Sequence, residues 1–107
     1  MTYQLLITTC PNNESANKLA RILVEKHLAA CVNIVPNIQS IYEWQGKIIE
    51  DSEILLLIKT QDTHYVTIEK TLSEHHSYDV PELIALPIEQ GFPPYLAWMD
   101  EVLNNKK

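Results

Sequence analysis

Eight residues, Glu53–Thr60 (EILLLIKT), decide the fold more than any other stretch of this chain. They contain five consecutive apolar side chains, from Ile54 to Ile58, and form the clearest predicted strand in the sequence. Successive side chains of a strand point to opposite faces of a sheet. An unbroken apolar run therefore predicts a strand that needs burial on both of its faces.

The other predicted strands are apolar or β-branched runs that end near Pro, Asn or Gly: Tyr3–Cys10, Ala30–Val35 resuming at Ser40–Trp44, and Glu82–Ile88. Pro36 interrupts the second of these runs. Because proline lacks the amide donor that a strand ladder needs, we expect Pro36 at a bulge or on a sheet edge. Gln45-Gly46 lies between Tyr42–Trp44 and Lys47–Ile49, which predicts a hairpin turn.

Three helices are predicted from apolar residues at helical spacing. The first covers roughly residues 13–29, with Asn12 and Asn13 as candidate caps. Asp62 is the candidate cap of the second helix, which ends near His75-His76 because Pro81 follows. The apolar faces of the second and third helices comprise Tyr65, Ile68 and Leu72, and then Tyr95, Trp98, Met99, Val102 and Leu103 after the Pro93-Pro94 start.

The element order β-α-β-β-α-β-α predicts an α+β fold. Its first six elements match the ferredoxin-like βαββαβ arrangement, an antiparallel sheet with two helices on one face, to which a C-terminal helix is added. With 107 residues there is room for one domain, which we place at 1–107.

The second face of such a sheet would alternate apolar and polar residues if water covered it. Leu5-Leu6-Ile7 and Leu83–Leu86 do not alternate, and neither does the run from Ile54 to Ile58. Self-association would cover this face, and the Tyr42/Trp44 tip of the long hairpin would then contact a neighbouring subunit. The alternative is that the C-terminal segment folds back and covers the whole face.

The formal net charge of −6 argues against a nucleic-acid partner, because an acidic chain repels phosphates. No segment approaches the roughly 20 apolar residues of a membrane span, and Met1–Ile7 lacks the basic start of an export signal. We therefore expect a cytoplasmic protein without a membrane partner. Cys10 and Cys31 are too far apart for a CxxC pair and are expected to be reduced, buried thiols.

Several motifs in order resemble the CutA divalent-cation-tolerance family: Ala29–Ile34 with Pro36, Ser40–Ile48 (SIYEWQGKI), Ile58-Lys59-Thr60, His75–Leu83 (HHSYDVPEL) and Tyr95–Trp98 (YLAW). The resemblance implies the ferredoxin-like fold and a homotrimer whose sheets form a central core. It also implies a role in tolerance to copper and other divalent metals. The fold and trimeric state of that family further resemble those of the nitrogen-regulatory signalling proteins.

The candidate metal ligands are His75, His76, Glu82 and Cys10. The first three lie within eight residues of each other, and imidazole with carboxylate suits Cu(II) or Zn(II). The family resemblance implies a copper site made by the His pair and a first-strand Cys, a position that Thr8 occupies in this chain. Cys10 lies two residues further, on the same strand face, and could replace that Cys.

Structural explanations of the same residues remain open. Adjacent His residues on a helix point about 100° apart, so a pair on the surface would simply be solvated unless the helix ends between them. Ser77 replaces the Pro that usually follows the His pair in the family, which loosens the turn. Glu82 could instead cap a backbone amide or pair with Lys59.

Three functions compete at this point. The first is a copper or other divalent-cation binding protein. The second is a trimeric signalling module that binds a small anionic ligand between subunits, near the Tyr42–Lys47 hairpin and Lys59. The third is an enzyme with Cys10 or Cys31 as a thiol nucleophile. We expect no enzyme, because the chain has no HExxH motif or phosphate loop and contains only two glycines.

Overall fold

The computed structural model describes residues 2–104. The elements are β1 (Tyr3–Cys10), α1 (Asn13–Glu25), β2 (Cys31–Trp44), β3 (Lys47–Gln61), a 3-10 turn (Asp62–His64), α2 (Tyr65–His75), β4 (Ile84–Pro87) and α3 (Pro93–Leu103). The four strands of this region form one sheet in the order β2-β3-β1-β4, and all neighbours pair antiparallel. The predicted α+β fold with an antiparallel sheet is confirmed.

One face of the sheet, here called the helix face, is covered by α1 and α2. The register places Leu6 opposite Ile58 and Cys10 opposite Ile54, so these side chains share that face. They pack with both helices into the main core cluster. Its fully buried members include Leu6, Leu23, Leu56, Ile58, Ile68 and Leu72.

The opposite face, here called the second face, is covered only in part by α3. Met99 and Leu103 are buried against Ala30 at one end of it. Further along the described sheet, Ile84 and Leu86 of β4 remain 51% and 42% exposed. The C-terminal helix therefore does not cover the whole face, which was the alternative to self-association. Among residues 2–104, no helix is long and apolar enough to cross a membrane.

The β2–β3 ribbon extends beyond the rest of the sheet. Its register shifts by one residue between Val35 and Ile38, so Pro36 lies at a bulge, and β2 is an edge strand, as the missing amide donor predicts. Gln45 and Gly46 both have positive φ, 51° and 79°, the geometry of a tight hairpin turn. The predicted bulge and hairpin are both confirmed.

The first helix is shorter than predicted. It ends at Glu25 rather than near residue 29, because His27 adopts a left-handed conformation with φ of 58°. The Leu28 amide bonds back to the Leu23 carbonyl and the His27 amide to the Val24 carbonyl, which closes the helix end. The apolar spacing continues past the point where the backbone turns, so periodicity alone overestimates the length.

Two smaller expectations also differ from the structure. Asp62 does not cap α2; it lies in the 3-10 turn that precedes the helix, and its carboxylate accepts a hydrogen bond from the Thr2 amide at 3.1 Å. The last strand covers Ile84–Pro87 rather than 82–88; the Ile88 amide still donates to the Tyr3 carbonyl of β1, but Glu82 and Leu83 do not pair with that strand. The first helix, by contrast, has the predicted Asn12 cap, whose side chain accepts from the Ser15 amide.

Candidate functional site

The predicted site residues lie where the segment between α2 and β4 passes the end of β1. His75 is the last residue of α2 and is exposed. His76 has extended backbone angles, φ −77° and ψ 146°, so the helix ends between the two residues. The two imidazoles therefore occupy different surroundings: His75 lies on the surface, and His76 turns back towards β1.

Both ring nitrogens of His76 make hydrogen bonds. Nε2 lies 2.8 Å from the Thr9 carbonyl, and Nδ1 accepts from the Tyr78 amide at 3.1 Å. Since a carbonyl can only accept, this pattern assigns the ring proton to Nε2. Burial lowers the pKa of His76 below its ordinary value, although the Thr9 carbonyl and the Glu53 carboxylate act in the opposite direction. The imidazole is thus neutral and fixed in orientation at pH 7.

Cys10 and His76 lie side by side. The Cys10 Sγ is 4.0 Å from His76 Nε2, and the Thr8 Oγ1 is 3.5 Å from the same nitrogen. Two ligands on one ion, with bonds of about 2.3 Å to sulfur and about 2.0 Å to nitrogen, are separated by roughly 3.5 to 4.3 Å. The Cys10–His76 separation therefore suits a shared metal ion.

The rest of the predicted ligand set does not gather around this pair. Within residues 2–104, no group of three or more His, Cys, Asp or Glu side chains is placed to hold a metal ion. His75 points from the exposed end of α2, and Glu82 lines a neighbouring cleft. Of the four candidates, the structure brings together Cys10 and His76.

The environment of Cys10 opposes a nucleophilic role. The residue is buried, and burial raises the pKa of its thiol to about 11, with the negative charge of Glu53 acting in the same direction. A nucleophilic cysteine needs a lowered pKa so that the thiolate is present at neutral pH. A neighbouring imidazole alone therefore does not make Cys10 a catalytic group.

The second-face side of the same sheet end carries a cleft of about 530 Å³. Its lining includes Thr9, Tyr42, Trp44, Glu53, Tyr78 and Glu82. The β2–β3 ribbon contributes alternate residues to this lining. Tyr42 pairs with Ile49 and Trp44 with Lys47, and because alternate residues of a strand share a face, the Tyr42 and Trp44 side chains lie on the same side of the ribbon. Sequence reasoning did not single out Glu53 or Tyr78, although the period of two places Glu53 on the same ribbon face as Tyr42 and Trp44.

Tyr78 joins the cleft to the His76 site. Its hydroxyl donates to Glu53 Oε2 at 2.7 Å, while its amide donates to His76. Burial and the Glu53 carboxylate raise the pKa of Tyr78, so this hydroxyl stays protonated. At the cleft rim, the Tyr42 hydroxyl donates to Asp51 at 2.5 Å.

Within a single subunit, the lining of this cleft does not suit an anionic ligand. It contains the carboxylates of Glu53, Asp79 and Glu82 and neither Lys nor Arg. Lys59 instead lies 5.7 Å from the centre of the Tyr95 ring on α3. The Lys59–Glu82 ion pair, one of the alternatives for Glu82, is not among the contacts of the described region, whose one ion pair joins Arg21 and Glu25.

Comparison with known proteins identifies the family of this chain. The family described as "CutA1 divalent ion tolerance protein" matches residues 4–102, which include all four candidate ligands. The chain belongs to this family. The resemblance that the motifs carry is confirmed, and the family name connects the chain with divalent cations.

Relatives from distant organisms share the sequence and the fold. "Protein CutA" of Mus musculus is 55% identical over 94 residues, which are 88% of this chain and 53% of that protein. "Divalent-cation tolerance protein CutA" of Thermus thermophilus is 46% identical over 98 residues, 92% of this chain and 95% of that protein. The crystal structure of CutA1 from Oryza sativa has a TM-score of 0.94 at 40% identity, covering 99% of this chain and 97% of that one.

The relatives differ in length and location. This chain spans about half the length of the mouse and human proteins, at 53% and 52%. Other family members carry the words chloroplastic and periplasmic in their names. The family is therefore not confined to one compartment.

Proposed function

We propose that this chain acts in divalent-cation tolerance as a non-enzymatic, copper-binding homotrimer in the cytoplasm. One ferredoxin-like domain, 1–107, carries the function. The observation that supports metal binding is the 4.0 Å separation between the Cys10 Sγ and the His76 Nε2. Thiolate and imidazole are ligands that copper favours.

Copper binding at this pair has two costs. Cys10 must lose a proton from a thiol whose pKa is raised to about 11. The His76 ring proton must also move from Nε2 to Nδ1, which breaks both the hydrogen bond to the Thr9 carbonyl and the one from the Tyr78 amide. The metal competes with both, so this site should bind copper more weakly than a site whose ligands are already free.

His75 and Glu82 complete the proposed ligand set through a movement of the segment that connects α2 to β4. This segment lies between the helix end at His75 and the first paired residue, Ile84, and has no strand or helix of its own. Thr8 contributes a hydroxyl near His76 but replaces a thiolate, which lowers affinity further.

Titration with copper in competition with a chelator tests the metal site. The wild-type chain should bind at a fixed ratio per subunit, and Cys10→Ser and His76→Ala should each weaken binding by at least about tenfold, because loss of even a group that only orients a ligand costs about 10- to 100-fold. His75→Ala and Glu82→Gln should weaken it less.

Cys31→Ser is the matched control, because Cys31 is the other free thiol and lies far along β2 from this site. An equal loss of affinity in Cys10→Ser and Cys31→Ser would contradict the proposed site. Affinity should also rise by about tenfold per pH unit between pH 6.5 and 8.5, because binding releases the Cys10 proton. A flat pH profile would contradict a thiolate ligand.

The homotrimer is supported by the uncovered second face. The apolar residues Ile84 and Leu86 of β4 and Val35 of β2 are 51%, 42% and 37% exposed in the single subunit. A second face packed against those of two other subunits would bury these side chains in a central core. Sedimentation velocity should give three times the 12.3 kDa chain mass, and a monomer or dimer would contradict the proposal.

A further inference from the structure

The second face carries a buried acid that has no counter-charge in the single subunit. Glu53 is only 7% exposed, and its Oε2 accepts a hydrogen bond from the Tyr78 hydroxyl at 2.7 Å. That bond occupies one of the two carboxylate oxygens and brings no positive charge. Within residues 2–104 the one ion pair joins Arg21 and Glu25. Packing against another subunit would remove the remaining water from Glu53, which is costly unless a cation accompanies the carboxylate.

Lys59 is a cation on the same face of the same strand. It pairs with Leu5 on β1 and Cys31 on β2, and its Nζ lies 5.7 Å from the centre of the Tyr95 ring. Lys59 is half-buried and, like Glu53, belongs to no ion pair in the described part of the chain. Six positions along β3 correspond to about 20 Å, so Lys59 and Glu53 cannot pair within one subunit.

The surroundings of these two charges are complementary. The cleft that contains the acid, here called the acidic cleft, is a hollow of about 530 Å³ with the rings of Tyr42 and Trp44 and neither Lys nor Arg in its lining. Lys59 lies beside Tyr95 and Trp98, whose rings contact each other at 5.5 Å between centroids and are partly exposed. These three residues are here called the Lys59 patch. An exposed aromatic pair with a cation thus matches an aromatic hollow with a carboxylate.

A cyclic trimer needs two different patches of this kind. Each of its interfaces is heterologous, so that a patch of one subunit meets a different patch of the next. The acidic cleft and the Lys59 patch lie at separate positions along β3 on the second face. One subunit can therefore use its cleft towards one neighbour and its patch towards the other.

We propose that the Lys59 patch of each subunit enters the acidic cleft of its neighbour, where the Lys59 ammonium donates to Glu53 Oε1. This pairing rests on the homotrimer proposed above. The Tyr78 hydroxyl stays on Oε2, so both oxygens of the carboxylate are satisfied. The cleft is thus incomplete in one subunit, and a second copy of the chain supplies its counter-charge.

Lys47 is the alternative donor. It pairs with Trp44 at the hairpin turn, on the same side of the ribbon as the cleft, and is exposed. An ion pair that stays in water contributes little to assembly. The half-buried Lys59, by contrast, would lose its remaining water in the interface and would then need a carboxylate.

A charge exchange within one chain tests the pairing. Glu53→Lys and Lys59→Glu should each raise the dissociation constant of the assembly by at least about tenfold, measured by sedimentation over a concentration series at physiological ionic strength. The double variant should assemble at least about tenfold more tightly than either single variant. Because the two positions are about 20 Å apart along β3, such a rescue can only come from contacts between subunits. Folded variants without rescue would overturn the proposal.

Neutral variants keep the test valid if the exchanged chains fail to fold, which circular dichroism detects. Glu53→Gln and Lys59→Met should each weaken assembly. Their combination should weaken it by much less than the product of the two effects, because both remove the same contact. Losses that multiply would show that the two side chains act independently and would overturn the pairing.

Lys47→Met is the matched control, because it removes the same charge from the same side of the ribbon. Its effect should multiply with that of Glu53→Gln. If Lys47→Met, and not Lys59→Met, fails to multiply with Glu53→Gln, Lys47 is the donor and the proposal is overturned. A wild-type chain that sediments as a monomer or dimer would overturn the homotrimer itself, whereas multiplying losses in an intact trimer would overturn only the Lys59–Glu53 pairing.

Discussion

The two faces of the sheet have similar apolar side chains but very different cover. Leu56 and Leu57 are neighbours on β3; Leu56 faces the helices and is fully buried, whereas Leu57 faces the other way and is only partly buried. The helix face is completed within the subunit by α1 and α2. The second face has α3 at one end only. The apolar residues that this helix leaves open therefore point to another protein surface.

The two candidate sites also lie on opposite faces of the sheet. Cys10 and His76 meet on the helix face, where burial keeps the thiol protonated and the imidazole neutral. Glu53 and the cleft lie on the second face, where a carboxylate is buried but the space beside it is open in the single subunit. Tyr78 contacts both sites, through its amide and its hydroxyl.

The largest expected effect comes from a charge on the second face. Leu86→Glu should dissociate the assembly into folded monomers, because a carboxylate at an apolar interface is left unpaired at a cost of several kcal/mol. The side chain is 42% exposed in the subunit, so the fold itself should survive. Sedimentation velocity measures the dissociation and circular dichroism the fold.

Val66→Glu provides the control for that experiment. Val66 is 73% exposed on α2, on the outer side of the helix face. The same change of side chain there should leave the assembly intact. If both variants remain assembled, the second face is not the interface, and the comparison between the two faces loses its main consequence.

A cavity on the helix face should have the next largest effect. Leu56→Ala should lower the free energy of unfolding by about 2–5 kcal/mol, because the residue is fully buried in the main core. Leu57→Ala should cost less than about 2 kcal/mol in the isolated subunit. Urea unfolding of both variants in the monomeric Leu86→Glu background separates these values from subunit dissociation.

Equal losses for Leu56→Ala and Leu57→Ala in that background would show that the faces are equally covered within one subunit. In the assembled protein, by contrast, the cost of Leu57→Ala should increase, since the second face is then buried. The difference between monomer and assembly measures how much cover the other subunits supply.

Most of the fold could be predicted because its signals are local. The apolar run from Ile54 to Ile58 identified β3, Pro36 identified the bulge, and Gln45-Gly46 identified the turn. The errors lie where a contact distant in sequence decides. His27 ends α1 early and its Nδ1 lies 3.2 Å from the Val102 carbonyl, while the carboxylate of Asp62 binds the Thr2 amide instead of capping α2.

The site was less predictable for the same reason. Pro81 correctly predicted that α2 ends near His75-His76, but the sequence did not show that the end falls between the two residues and separates their side chains. The Cys10–His76 contact joins residues 66 positions apart, and only the family resemblance brought these two residues into one ligand set. Glu53 looked like an ordinary strand residue, and its burial against Tyr78 depends on a loop whose path sequence periodicity does not describe.

The attachment of α3 to the second face should have a smaller effect. The Asp100 Oδ1 accepts from the Tyr3 hydroxyl at 2.8 Å and from the Gln61 amide at 2.5 Å. Asp100→Ala leaves the side-chain amide of the buried Gln61 without this acceptor. The free energy of unfolding, measured with urea, should fall by about 1–3 kcal/mol. Glu101→Ala, at the exposed next position, should change stability by less than about 0.5 kcal/mol. Equal effects would mean that packing alone holds the helix.

The smallest effect is the pH dependence that His76 contributes on the helix face. Burial beside Cys10 lowers its pKa in the folded state, although Glu53 opposes the shift, while the unfolded chain has the ordinary value of 6.5. Between the two values the unfolded chain binds more protons, so stability should fall as the pH drops below 6.5 and should be unaffected by this group above it. His76→Gln removes the titrating group, and its amide nitrogen can still donate to the Thr9 carbonyl. Urea unfolding at pH 7.5 and 5.5 should therefore show a smaller loss of stability for this variant than for the wild type. If the two losses are equal, other groups cause the acid sensitivity. Burial on the helix face then does not make the His76 imidazole a weaker base than an imidazole in water.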